Sequence, residues 1–231
     1  TEQQSTKNRS FSANRSGLSD LAFNDYTAGY TQFTNGGGFG ENYLVSFFSR
    51  LAYDYKKKYF INGTLRQDEY SAFGPDKKAG IFYSIGATYD ISQEEFWKSS
   101  GIGKMISSLR LRGSYGEVGN AGGLGNYAPN SYYNAGLFGG APTLNFSQAG
   151  NNEIGWETSK KLDVGVNFGI LNDKITFEAA YYNNDIDGLI YDVPQAPSSG
   201  LPNAPSINIG SMYNRGFELV QYFILSVKMN L

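Results

Sequence analysis

Apolar and polar residues alternate with period two along most of this chain. Residues 43–54 place Tyr43, Val45, Phe47, Leu51 and Tyr53 on one face and Ser46, Arg50 and Asp54 on the other. The alternation recurs over residues 59–68, 81–91, 109–115, 156–168, 175–182 and 217–227. In the fifth run Trp156 shares the apolar face with Leu162, Val164, Val166 and Phe168, and in the last Phe217 and Leu219 lead to Phe223, Leu225 and Val227. Alternation of this length is the mark of a half-buried strand. The pattern therefore predicts seven antiparallel strands and an all-β fold.

The second face and the connections separate two architectures. A soluble sandwich and a membrane barrel both alternate, but here the apolar face is rich in Tyr, Phe and Ile, with tyrosines often at run ends (Tyr43, Tyr53, Tyr59, Tyr89, Tyr115, Tyr181). Aromatic girdles of transmembrane barrels sit at such positions. Connections alternate short and long: residues 55–58 and 171–174 make tight turns, whereas residues 117–155 and 183–213 make long loops. Outer-membrane barrels have short periplasmic turns and long external loops. The connection over residues 92–107 is longer than its neighbours on the short side, and Ser92-Gln93-Glu94-Glu95 has the form of a capping box opening a short helix through Phe96 and Trp97. Residues 1–42 show no ten-residue alternation and read as an external loop region leading into the first strand. Residues 43–231 read as one partial domain of strands and loops. The expectation is a piece of a transmembrane β-barrel with seven or eight strands. A soluble or surface-exposed β-domain that binds glycans or forms an assembly is the alternative, and a complete eight-stranded barrel is a third, weaker one.

Composition removes whole classes of chemistry. The 231 residues contain no Cys and no His, which excludes disulfides, thiolate or imidazole metal sites and His-based triads. A net charge of −2 does not suit nucleic acid, which needs a basic face. Mean hydropathy of −0.39 and the lack of a long apolar run exclude a membrane-spanning helix, yet say nothing of strands, whose alternation averages away.

Several short motifs occur in a fixed order: Ser49-Arg50-Leu51-Ala52-Tyr53-Asp54-Tyr55-Lys56, Leu65-Arg66-Gln67-Asp68, Phe73-Gly74-Pro75, Leu109-Arg110-Leu111-Arg112-Gly113-Ser114-Tyr115-Gly116, Trp156-Glu157-Thr158 and Asn214-Arg215-Gly216-Phe217-Glu218-Leu219. Their order and spacing resemble the SusC/RagA family of TonB-linked outer-membrane proteins of the Bacteroidetes. The resemblance implies a barrel of about 22 strands in the outer membrane of a Gram-negative bacterium, with an N-terminal plug. It also implies import of oligosaccharide or peptide, driven by TonB and shared with an external SusD-like lipoprotein, with no bound cofactor and no catalysis. No plug, signal peptide or TonB box is legible in this chain. The resemblance therefore implies the later, barrel part of such a protein, bathed in membrane lipid, with TonB engaged through the missing N-terminal part.

Candidate residues fall into two groups. Tyr127, Tyr132, Tyr133, Phe138 and Phe146 lie among asparagines in the longest loop, where rings beside amides suit stacking and hydrogen bonding to a sugar or peptide; packing of the loop onto its neighbours is the plainer role. Arg50, Arg66, Asp68, Asp90, Arg110 and Arg112 fall on the polar, lumen-side face, as an ion-pair lattice or as lining of the solute path. Asp185-Ile186-Asp187-Gly188 resembles the start of a calcium loop, but position 194 holds Pro where the bidentate Glu belongs. Glu157 and Glu178 do not make a convincing catalytic pair, so neither a metal nor an enzyme is expected.

The assignment of faces predicts that Ile85→Asp impairs membrane insertion more than Thr88→Asp, because a charge at the bilayer midplane costs about 2–4 kcal/mol for Arg or Lys and less for Asp. Equal yields of the two variants in the membrane fraction would reject it.

Overall fold

The structure, a computed structural model, describes residues 1–16, 32–200 and 204–223. Eight antiparallel strands form one sheet in the order β1 (Glu2–Ser16), β2 (Gln32–Tyr55), β3 (Tyr59–Tyr70), β4 (Ala79–Asp90), β5 (Ile106–Asn120), β8 (Glu157–Ile170), β9 (Ile175–Asp187) and β12 (Ser211–Phe223). Two small hairpins lie outside it, β6 (Tyr132–Phe138) with β7 (Ala141–Gln148), and β10 (Ile190–Asp192) with β11 (Ser206–Asn208). The sheet is open, with β1 and β12 at its two ends.

Cross-strand register keeps the two faces distinct over the sheet. Tyr53, Ile61, Ala87, Gly113, Val164, Tyr181 and Phe217 lie directly opposite one another in one row. Arg50, Thr64, Ser84, Gly116, Lys161, Asn184 and Asn214 make a row on the other face. Because side chains alternate with period two, one slipped residue in any ladder would exchange these rows. Leu51, Ile85, Phe217 and Leu219 are exposed on the apolar face, so this sheet packs no protein core against it.

Several expectations need correction. Residues 1–42 are not only loop: β1 pairs along its length with β2, which itself begins at Gln32. The polar sequence of β1, EQQSTKNRSFSANRS, lacks apolar alternation, and its strand character comes from the neighbouring edge. Both long connections shrink, because β5 runs to Asn120 and β9 to Asp187 and hairpins occupy part of what remains. Trp156 precedes β8 and turns to Phe82 on the polar face instead of joining Val164. In the last run β12 starts at Ser211, and Leu225 and Val227 lie outside the described residues.

A small buried cluster ties the long loops to the strands. Phe73 packs against Trp156 with ring centroids 4.8 Å apart, Tyr70 against Phe73 at 5.3 Å, and Phe82 meets Trp156 edge-on at 5.4 Å. Ala72, Phe73 and Ile154 are almost completely enclosed. The Trp156 indole N–H donates to the Lys78 carbonyl (3.0 Å), and Gly74 N–H donates to the Ile154 carbonyl (2.9 Å), so residues 71–78 and 150–156 are stitched together. Gly119 on β5 permits this packing, since a Cβ there would collide with the Phe82 ring.

At the opposite end, the β2–β3 turn holds Lys56 and Lys57 at φ 54° and 58°, a conformation that usually selects Gly or Asn. Asp54 compensates by accepting from Lys57 N–H (3.0 Å) and Lys57 Nζ (2.9 Å). The β4–β5 connection contains two short helices, α1 (Glu95–Ser99) and α2 (Gly101–Met105). The expected capping box does not form: α1 begins at Glu95 with Glu94 as its N-cap, and Ser92 donates to Asp90 instead. Ser100 caps α2 by accepting from Gly103 N–H (3.0 Å). Glu94 accepts from Lys58 Nζ (2.7 Å), Tyr59 Oη (3.0 Å) and Tyr89 Oη (3.3 Å). The Lys58 hydrogen bond, outweighing desolvation, holds the Glu94 carboxyl below its ordinary 4.5 and, reciprocally, holds Lys58 above 10.5.

Two predictions follow from these contacts. Gly119→Ala should lower stability by about 1–3 kcal/mol through overpacking, whereas Gly101→Ala, which meets open space, should leave the unfolding midpoint unchanged. Because Glu94 is depressed when folded, its contribution is present above pH about 4.5 and fades as pH falls through the folded value. Hydrogen-exchange protection of residues 91–100, corrected for intrinsic rates, should therefore drop on acidification in the parent protein and be low at every pH in Glu94→Gln.

Candidate functional site

The long loops converge through hydrogen bonds to strand ends. Tyr127 Oη accepts from Glu41 N–H (3.0 Å) and Asn126 Oδ1 from Asn42 Nδ2 (2.7 Å), seating the loop after β5 on β2. Gln148 Nε2 donates to the carbonyls of Tyr127 (3.1 Å) and Asn130 (2.9 Å), closing the base of the β6–β7 hairpin. Gly139 and Gly140, at φ 57° and 87°, make the hairpin tip. The β10–β11 pair is fastened by Asn208, whose Oδ1 accepts from Gly155 N–H (2.8 Å) and whose Nδ2 donates to the Gly155 and Gly188 carbonyls.

Between these hairpins lies a cavity of about 340 Å³ lined by Asn126, Tyr127, Tyr132, Gln148, Asp192 and Ser206, among others. The Tyr127 and Tyr132 rings meet at 87° with centroids 6.3 Å apart. Ser206 Oγ donates to Asp192 Oδ1 at 2.5 Å. Two aromatic planes beside amide, hydroxyl and carboxylate groups make a concave mixed surface of the kind that orients a polar ligand with an apolar side.

The structure divides the five aromatic candidates. Tyr127 and Tyr132 share the cavity. Tyr133 and Phe146 pair with each other at 5.1 Å, and Phe138 stands exposed at the hairpin tip. Tyr132 and Tyr133 are adjacent in β6 and so point to opposite sides.

Five of the six charged candidates are paired on the polar face. Arg66 Nε meets Asp68 Oδ1 at 2.6 Å and its Nη2 donates to the buried Ser46 Oγ (3.0 Å). Arg110 Nη2 reaches the nearly enclosed Asp90 at 3.0 Å. Arg112 bridges Glu178 (2.5 Å) and Asp163 (3.5 Å). Arg50 forms no ion pair among the described residues. Asp187 of the calcium-like motif pairs with Lys160 (3.0 Å), and both its acids belong to β9.

Glu157 is the residue that pattern reading passed over. It is buried, accepts from Asn120 Nδ2 (2.7 Å) through one oxygen and from Ile190 N–H (2.8 Å) through the other, and so joins β5, β8 and β10. Its position in Trp156-Glu157-Thr158 carries a family resemblance, but nothing local marks a carboxylate that will be buried against a distant backbone amide.

With fold and site in view, comparison with known proteins places the chain. The sequence profile of the family described as TonB dependent receptor-like, beta-barrel, matches residues 2–230, and the chain belongs to that family. Among relatives, TonB-dependent receptor P39 of Formosa agariphila is 35% identical over 181 residues, covering 76% of this chain and 17% of its own length. TonB-dependent receptor SusC of Bacteroides thetaiotaomicron is 32% identical over 184 residues, 77% of this chain and 18% of that protein. The chain thus spans under a fifth of these relatives. The RagAB peptide importer in its closed-closed state superposes with a TM-score of 0.79 at 26% identity, covering 98% of this chain and 25% of that one. A second structure, of the RagAB peptide transporter, gives 0.74 at 30% identity, over 84% of this chain and 21% of its own.

Glu157→Ala would leave the Ile190 N–H and the Asn120 amide without their acceptor, a cost of about 1–3 kcal/mol. Proteolysis of residues 188–210 should accelerate in this variant while cleavage at the β2–β3 turn stays constant.

Proposed function

We propose that this chain forms part of the wall and external mouth of a TonB-dependent importer in the outer membrane of a Gram-negative bacterium. A plug and a TonB-contacting segment elsewhere in the complete protein would gate it. The solute is a short oligosaccharide or peptide, received with a SusD-like surface lipoprotein. The observation that carries this reading is the pairing of an outward apolar face, exposed on β2, β3, β4, β5, β8 and β12, with a polar face held by Arg66–Asp68, Arg110–Asp90 and Arg112–Glu178. Such a sheet needs hydrocarbon on one side and water on the other. One solute class is supported by a neighbour's name: RagAB is a peptide importer. Within this reading Tyr127 and Tyr132 are the solute contacts best supported by geometry, since they line one cavity at the external mouth. Tyr133, Phe138 and Phe146 lie on the hairpin beyond it, where they can meet the solute or the lipoprotein.

In the complete protein, a Tyr127→Ala/Tyr132→Ala variant should reduce uptake of the cognate solute by roughly tenfold, equivalent to ~1.4 kcal/mol of binding. Barrel abundance in the outer membrane should be unchanged. Uptake assayed separately with labelled oligosaccharides and peptides identifies the class. Full uptake of both by the variant would remove the two tyrosines from the solute path.

A further inference from the structure

We propose that the β4–β5 connection is a lipid-interface anchor, which binds anionic phospholipid headgroups of the periplasmic leaflet through lysines and sets apolar side chains into the acyl boundary. The inference rests on the outer-membrane reading above and adds to it a specific lipid-binding element. Phe96, Ile102 and Met105 are 61%, 58% and 75% exposed, although they belong to two ordered, tightly linked helices. Trp97 adds an amphipathic ring, its indole N–H donating to the Ile106 carbonyl (3.3 Å).

The direction in which this segment turns decides what covers it. Glu94 is held by Tyr59 and Tyr89, both on the apolar face of the sheet, and by Lys58. The two tyrosine rings stack at 4.8 Å and continue through Tyr55 along the same row. The segment is therefore fastened to the outward tyrosine band through Glu94, as well as to Asp90 of the polar face through Ser92, and its exposed apolar residues lie at the same end of the sheet as that band. Aromatic residues at a membrane boundary lie at headgroup level.

Charge selects the headgroup. Lys98 meets only the neutral Gln93 amide (3.4 Å), and Lys56 lies over the Tyr55 ring (5.2 Å). Lys104 and Lys174 have no carboxylate partner among the described residues. Of the nearby acids, Glu94 is engaged by Lys58, Asp54 by Lys57, and Asp173 by Ser107 and Ser108; Glu95 faces no cation in an ion pair. Lys98 and Lys104 beside exposed apolar side chains on the two short helices, with Lys56 and Lys174 in turns at the same end of the sheet, match an anionic lipid surface, where each basic residue adds attraction.

The test uses the complete protein in vesicles of phosphatidylethanolamine with or without phosphatidylglycerol. Single nitroxides are attached after Phe96→Cys, Ile102→Cys or Met105→Cys, with Leu51→Cys reporting mid-sheet and Leu137→Cys the external hairpin. The expected result is an oxygen-to-nickel-chelate accessibility ratio at positions 96, 102 and 105 at least about threefold above that at 137 and below that at 51. Adding Lys98→Glu and Lys104→Glu should shift these positions toward the aqueous value, and only in phosphatidylglycerol vesicles. Aqueous ratios at 96, 102 and 105 with a hydrocarbon ratio at 51 would overturn the anchor and leave the barrel reading intact. Shielding from both reagents would also overturn it, by pointing to a protein partner. An aqueous ratio at 51 would instead reject the membrane wall itself, and the anchor with it.

Discussion

Cross-strand register is the constraint on which this protein depends. Eight strands are joined through ladders, and from β2 to β12 each ladder has to keep apolar residues opposite apolar ones. The row from Tyr53 to Phe217 and the row from Arg50 to Asn214 are separate only because every intervening pair is in phase. The backbone groups are satisfied within the ladders whichever register is taken, so hydrogen bonding alone does not choose. Side-chain chemistry chooses: ion pairs such as Arg110–Asp90 and Arg112–Glu178 stabilise the polar face in one alignment, and stacked rings such as Phe168–Phe177 at 4.9 Å stabilise the apolar one.

Turn chemistry reinforces that alignment at the narrow end. Lys56 and Lys57, and then Leu171, Asn172 and Asp173, all adopt positive φ without a glycine among them. Each turn is compensated by a carboxylate. Asp54 gathers Lys57, while Asp173 accepts from Ser107 and Ser108 and returns its own N–H to Ser107 (2.9 Å). The second set crosses from one hairpin to the next, so a turn that is costly in isolation also locks the start of β5 to the β8–β9 turn.

Legibility in the sequence followed the source of each element's order. Strands whose own residues alternate, such as β3 and β4, were readable with nearly correct limits, because the pattern and the cause coincide. The strand β1 was not readable, because its polar residues take their conformation from the exposed edge of β2. Trp156 was placed on the wrong face since periodicity extends a strand past the point where loop packing takes over. The charged candidates were found on the polar face from period alone, but their partners were not: Arg112 with Glu178 are 66 positions apart. Tyr127 and Tyr132 could be nominated as ring-bearing loop residues. That they face one cavity while Tyr133 faces away depends on the β6–β7 register, which no local signal reveals. Glu157 was missed for the same reason, because its role is to meet the Ile190 amide 33 positions further on.

The loops reach the sheet through the Phe73–Trp156–Phe82 cluster and through hydrogen bonds of Tyr127 on Glu41, Asn126 on Asn42 and Ile190 on Glu157. Beyond those fasteners, the β6–β7 tip touches little and ends in Phe138, which is 83% exposed. The two parts of the molecule thus answer to different constraints. A loop can be exchanged by recombination for one of another length and chemistry, provided the fasteners are inherited with it, whereas the wall admits only changes that keep its phase. A chain built on this plan can change the shape and chemistry of its loops while leaving the sheet unaltered.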